Sequence, residues 1–215
     1  MEIKSIKATR QPDKVLLVFT NNFVLPVPVE EISRQSLAKN LEVNPKLLQK
    51  LINISLYFYG YNLCLRQIAF SPKNQAILER KLKQYLPRQI LKLKLNQYQP
   101  DLNLIIQKVI QKLNSQNLID ESGFTFSYIR RYPKKSSKQI NYELSLLKVP
   151  PKLITKALAQ SNILNDQQKI EKLVVKKIKL LDNPDTKIKL IASLVRHGYQ
   201  YQDIKAVIDD LTKKQ

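Results

Sequence analysis

The chain has 215 residues and carries 37 Lys and Arg against 17 Asp and Glu, a formal charge of +20. Such an excess points to a polyanionic partner, whether nucleic acid, an acidic protein surface or an anionic membrane, and the plain alternative is lysine enriched on solvated faces. One cysteine, one histidine and three widely spaced glycines exclude an intrachain disulfide framework, a zinc ribbon, a His-based metal cluster and a Gly-rich phosphate cradle. The composition therefore argues against an enzyme, and no cofactor, metal or small-molecule substrate is expected.

The first segment reads as β. Ile3, Ile6 and Ala8 lead into a turn at residues 10–13 with Pro12, and KVLLVFT follows as a buried strand. Asn21-Asn22 suits a tight hairpin, because Asn tolerates positive φ. FVLPVPV is expected as an edge strand, since its prolines cannot donate to a ladder. Short helices are expected over 30–37 and 45–51, the second capped by Asn44. The uncharged run 51–65 is shorter than the roughly 20 residues a membrane helix needs, and 15–29 is broken by Pro26 and Pro28. No basic-apolar-small leader opens the sequence, so a cytoplasmic protein without membrane segments is expected. Cys64 reads as a small buried hydrophobe. Tyr57, Phe58, Tyr59 and Tyr61 are expected to fill core between the β unit and the helices.

From about residue 51 onward the chain reads as helix. Ser71-Pro72 looks like a cap with Pro at the first helical position, and Ile77, Leu78 and Leu82 form the stripe behind it. Ile106, Val109, Ile110 and Leu113 lie on one helical face, as do Ile170, Leu173, Val174, Ile178 and Leu181. An internal repeat sets residues 137–158 against 187–208 at an offset of 50. Ile140 falls on Leu190, Leu144 on Leu194, Val149 on Tyr199, Ile154 on Ile204, Ala157 on Val207 and Leu158 on Ile208. Gly198 stands where a helix would end left-handed, with Tyr199 folding back on the stripe. Pro150-Pro151 performs the stop and restart in the earlier copy. A degenerate third copy fits residues 75–82. The expected fold is mainly α: tandem three-helix repeats in an elongated curved array, with a small N-terminal three-stranded β-hairpin unit. The expected divisions are 1–50 (β unit), 51–119, 120–165 and 166–215 (helical repeats).

The first fifty residues hold eight basic and five acidic side chains, and residues 51–119 hold ten and two. The electrostatic weight therefore lies in the helices. Its densest cluster is Arg130, Arg131, Lys134, Lys135 and Lys138, with Tyr128 and Tyr132 nearby for stacking. Read plainly, the same cluster is a solvated helix end and loop. Asp120-Glu121 reads as a carboxylate pair at a helix start rather than a catalytic dyad, and His197 as a cation suited to a helix end.

Residues 117–158, NLIDESGFTFSYIRRYPKKSSKQINYELSLLKVPPKLITKAL, resemble the central repeat of the RecX family, regulators of the RecA recombinase. The ordered set is Leu118, Asp120-Glu121, Phe124, Arg130-Arg131, Ser137, Glu143-Leu144 and a helix over 153–158. KLIASLVRHGYQYQDIKAVI is similar to the last repeat, with Arg196, Gly198, Tyr199 and Ile204 in the family's places. The match runs from about residue 15 to 211. It is thin at 87–100, which looks longer than the usual link, and the first repeat keeps only Arg66 and Ser71 of its basic approach to a serine. The resemblance implies a non-enzymatic modulator that binds the RecA–single-stranded-DNA filament, acts in recombination and DNA repair and most often inhibits RecA. A monomer is expected. Arg66, Arg80, Lys176, Lys177 and Arg196 join the central cluster as candidate contacts to filament or DNA. A helical DNA- or RNA-binding protein acting without RecA is the competing reading.

Overall fold

The structure, a computed structural model, describes residues 1–161, 165–177 and 183–213. The chain forms two compact units, Met1–Ile119 and Asp120–Gln215.

In the first unit β1 (Ile3–Ala8), β2 (Lys14–Phe19) and β3 (Val24–Pro28) make an antiparallel sheet in the order β1-β2-β3. Lys14 pairs with Pro28 and Val18 with Val24, so the register places both prolines on the edge strand. Asn22 takes φ 61° at the β2–β3 turn, the conformation the asparagine pair suits. Alternation puts Ile3, Leu17, Phe19, Leu25 and Val27 on one face, all fully buried.

Helix α1 is shorter than expected, Glu30–Arg34. The next helix is longer. The expected short helix at Pro45 and the apolar run beyond it are one element, α2 (Pro45–Phe70), capped by Asn44, whose side chain accepts from the Leu47 amide at 2.8 Å. No residue between them breaks the ladder. Its buried stripe, Leu48, Leu51, Ile52, Leu56, Leu63 and Cys64, meets the buried face of the sheet in one core. Tyr57, Tyr59 and Tyr61 pack against this core, but they do not fill it as the sequence suggests, nor does Phe58. All four are only half-buried, because they fall on the flanks of α2 while its aliphatic residues take the core face.

The start of α3 (Gln75–Lys92) also differs. Ser71 ends α2, and the cap is Asn74, 1% exposed, accepting from the Ile77 amide at 3.1 Å. Pro87 lies inside α3 rather than in a link. It forfeits one backbone bond, and buried Leu86 and Ile90 on either side hold the helix together. A 3-10 turn, Asn96–Tyr98, leads to α4 (Leu102–Ser115), whose Ile106, Val109, Ile110 and Leu113 are buried as the spacing predicts.

The second unit holds α5 (Glu121–Arg131), α6 (Ser137–Leu146), α7 (Pro151–Gln160), α8 (Asp166–Val175), α9 (Pro184–Arg196) and α10 (Tyr201–Lys213). The offset of 50 carries α6 and α7 onto α9 and α10. All the paired apolar positions are buried except Leu158, which is half-buried. α7 packs on α5 and α6, as α10 packs on α8 and α9. The middle helices α3, α6 and α9 end alike. Lys94, Lys148 and Gly198 take positive φ, and the following Leu95, Val149 and Tyr199 are buried and return their amides to the carbonyls of Ile90, Leu144 and Leu194. Ile178 and Leu181 of the expected α8 stripe lie outside the described residues.

Candidate nucleic-acid interface

The segment between α5 and α6 carries most of the candidate residues. Asp120 caps α5 by accepting from the Gly123 amide at 2.7 Å, and Glu121 adds a carboxylate to the first turn. A Cβ on Gly123 would run into the Asp120 carboxylate, so the glycine belongs to the cap. Buried Phe124 and Ile129 fix the face of α5. Arg130 and Arg131 fall in the last turn, where cations suit the negative helix end.

The cluster divides in two. Arg130, Arg131, Lys134 and Lys138 are exposed. Lys135, Tyr128 and Tyr132 are half-buried, and the first two bond inward to Glu143. Lys135 Nζ donates to both Glu143 oxygens at 2.6–2.7 Å and sits 4.1 Å from the Tyr132 ring centre. Tyr128 Oη and Gln139 Nε2 donate to the same carboxylate. The Tyr128 and Tyr132 rings lie 4.8 Å apart. Burial would push the Glu143 carboxyl up, but bonds from Lys135, Tyr128 and Gln139 outweigh it and hold it below the usual carboxylate range. Burial and the bond to Glu143 push the Tyr128 phenol up.

The linking backbone is held from the last repeat. Tyr199 Oη donates to the Lys134 carbonyl at 2.9 Å, and Lys169 Nζ to that of Lys135 at 3.2 Å. Ser136 gives its amide to His197 O at 2.9 Å and its hydroxyl to Gly198 O at 2.8 Å. Asp166 accepts from the amide and hydroxyl of Ser137 and pairs with Lys169, which is 5% exposed. Gly198 has φ 89°, and a Cβ there would stand 2.6 Å from Gln139 Cβ and 2.7 Å from Ser136 Oγ. Glycine is thus required by conformation and by contact. The helix cap of α6 is Ser136, 1% exposed, which accepts from the Gln139 amide; Ser137 turns instead to Asp166. His197 ends α9 with Nδ1 2.6 Å from the Ser193 carbonyl.

Lys176 and Lys177 are exposed just after α8, and Arg196 is exposed at the end of α9. Their side chains make no bond to the α5–α6 cluster among the described residues. Arg66 on α2 and Arg80 on α3 are exposed in the first unit. Asp166, Lys169 and Tyr199 escaped sequence reasoning as supports of the site. Their partners lie 29, 34 and 65 residues away, beyond any local pattern. The arrangement presents four exposed cations, with no ion pair among the described residues, on a backbone tied by these bonds. Such an arrangement can bind an anion. Among the described residues no three His, Cys, Asp or Glu side chains group as for a metal, and no helix is long and apolar enough to cross a membrane.

No protein-family model matches the chain. The chain is 26% identical over 216 residues to a protein of Streptococcus uberis named Regulatory protein RecX, covering 99% of this chain and 78% of that one. It is 26% identical to a protein of the same name from Streptococcus agalactiae, covering 97% and 77%. Among solved structures, one described as the crystal structure of regulatory protein RecX superposes with a TM-score of 0.62 at 17% identity over 97% of this chain and 98% of that one. RecX from Lactobacillus salivarius superposes at 0.50 and 21% identity over 73% and 97%. The superposition over nearly the whole chain supports the fold described above, mainly helical with a small N-terminal sheet. The RecX resemblance read from residues 15–211 is borne out over nearly the whole chain.

Proposed function

We propose that this chain is a RecX-type regulator that binds the RecA–single-stranded-DNA filament and inhibits it, without catalysis of its own. The observation that carries the reading is the ordered repeat of the RecX resemblance coinciding with exposed Arg130, Arg131, Lys134 and Lys138 on a backbone locked by the last repeat. A preorganised cationic edge loses little freedom on binding phosphate or an acidic protein face. In this reading the protein acts as a cytoplasmic monomer. Lys176, Lys177 and Arg196 extend the contact along the second unit, and Arg66 and Arg80 serve in the first.

The test is RecA's DNA-dependent ATPase on preformed filaments, with slowing expected at substoichiometric protein. No change at equimolar protein would end the proposal. Equal binding to single-stranded DNA with and without RecA would favour a RecA-independent nucleic-acid binder instead.

A further inference from the structure

A hollow of about 380 Å³ opens in the first unit where the sheet, α2 and the end of α3 meet. Three cations reach it from three elements: Lys14 from β2, Arg66 from α2 and Lys92 from α3. Among the described residues none of them forms an ion pair, and of the described residues lining the hollow one carboxylate, Asp13, faces them. Phe58 and Tyr59 supply half-buried ring surface, and Asn62 and Gln89 supply amides that donate and accept. At the floor lies Ser55, 2% exposed, whose hydroxyl has no hydrogen-bond partner. A serine inside a helix ordinarily returns its hydroxyl to a carbonyl one turn back or turns it to water. Ser55 makes no such backbone bond among the described residues and lines the hollow instead.

We propose that this hollow binds a nucleotide unit, its phosphate among Lys14, Arg66 and Lys92 and its base against Phe58 and Tyr59. Cations from separate elements suit a phosphate, and aromatic side chains take any base by stacking. The amides and the Ser55 hydroxyl then have acceptors and donors on the base and sugar to meet. The volume fits one nucleotide, within the usual range for small-ligand sites, and is too small for a duplex. Two sources supply this chemistry: a free mononucleotide, or the phosphorylated 5′ end of a single strand. The proposal shares Arg66 with the filament reading but is tested without RecA, so the failure of one is distinguishable from the failure of the other.

Calorimetric titration of the full chain with AMP, and with oligothymidylate carrying either a 5′ phosphate or a 5′ hydroxyl, decides it. Saturable binding of one AMP per chain assigns the hollow to free nucleotides. Tighter binding of the 5′-phosphorylated strand than of its hydroxyl twin, by about tenfold for one charged contact set, assigns it to strand ends. In either case Arg66→Gln with Lys92→Gln lowers affinity about tenfold or more. Ser55→Ala lowers it several-fold while the melting temperature holds or rises, since an unpartnered buried hydroxyl leaves the fold. No saturable AMP binding together with indifference to the 5′ phosphate overturns the proposal. Binding that all these substitutions leave unchanged overturns it equally.

Discussion

Replacing Glu143 by Gln tests whether the basic segment is held in reserve as well as held in place. Glu143 Oε1 accepts from Lys135 and Gln139, and Oε2 from Tyr128 and again from Lys135. An amide keeps one acceptor oxygen and turns an NH2 toward the other pair of donors. Tyr128 can rotate its hydroxyl to accept, while Lys135 keeps at most one bond to a neutral oxygen, so the charge that draws it inward is gone and it swings toward water. The side chains are 23% and 22% exposed, so the lost charged bond keeps much of its worth, about 1–2 kcal/mol after screening. For a unit of this size the melting temperature falls roughly 4–8 °C per kcal/mol. Binding should move the other way. One cation is freed, and a single-strand contact steepens the log–log salt slope by about 0.7, an extra ~2.5-fold loss of affinity between 50 and 200 mM salt. The pH dependence has a definite sign. The folded pKa of Glu143 lies below its unfolded value, so its contribution is complete above the unfolded pKa and disappears as pH falls through the folded one. The stability gap between wild type and Glu143→Gln is therefore widest near neutral pH and closes as pH falls below about 4. Melting curves across pH and fluorescence anisotropy with single-stranded DNA at several salt concentrations measure both effects. An unchanged melting temperature with an unchanged slope would refute the reserve held at Lys135.

Changing Arg130 and Arg131 to Gln should flatten the salt slope by about 1.4, with stability altered by no more than about 0.5 kcal/mol because both side chains are exposed. A collapsed melting transition would contradict that exposure. Gly198→Ala should destabilise the second unit by about 2–4 kcal/mol, from a left-handed residue with a Cβ and contacts at 2.6–2.7 Å. Chemical denaturation measures it, and a loss below about 0.5 kcal/mol would show that α6 and α9 part easily. Burial pushes the Cys64 thiol up to about 12, so thiol reagents should modify it only as fast as the first unit opens. Rapid labelling of the folded protein at neutral pH would contradict the core assignment.

The sequence by itself determined the periodic part of this protein. The β-branched apolar run KVLLVF, the Asn pair and the edge prolines specified the sheet, because strand preference and a turn's φ are set by the residues themselves and their neighbours. The offset of 50 specified which residues of α6, α7, α9 and α10 are buried, because a helix shows its stripe over a few turns. The basic cluster and its exposed arginines were legible for the same reason. Boundaries were less so. Ser71-Pro72 looked like a cap, and Asn74 won because its side chain is buried beside the core while its oxygen reaches the Ile77 amide. Pro87 looked like a break, and burial of Leu86 and Ile90 outweighed one missing bond. Only the tertiary structure decided which cations are free. Lys135 reads in sequence like Lys134, yet Glu143 holds one and water the other. The clamp on the intervening backbone joins Tyr199, Lys169 and Asp166 to residues 134–137 across 29 to 65 positions. Those bonds form only after two repeats have packed, and hydrogen bonds between distant residues leave no local period to read.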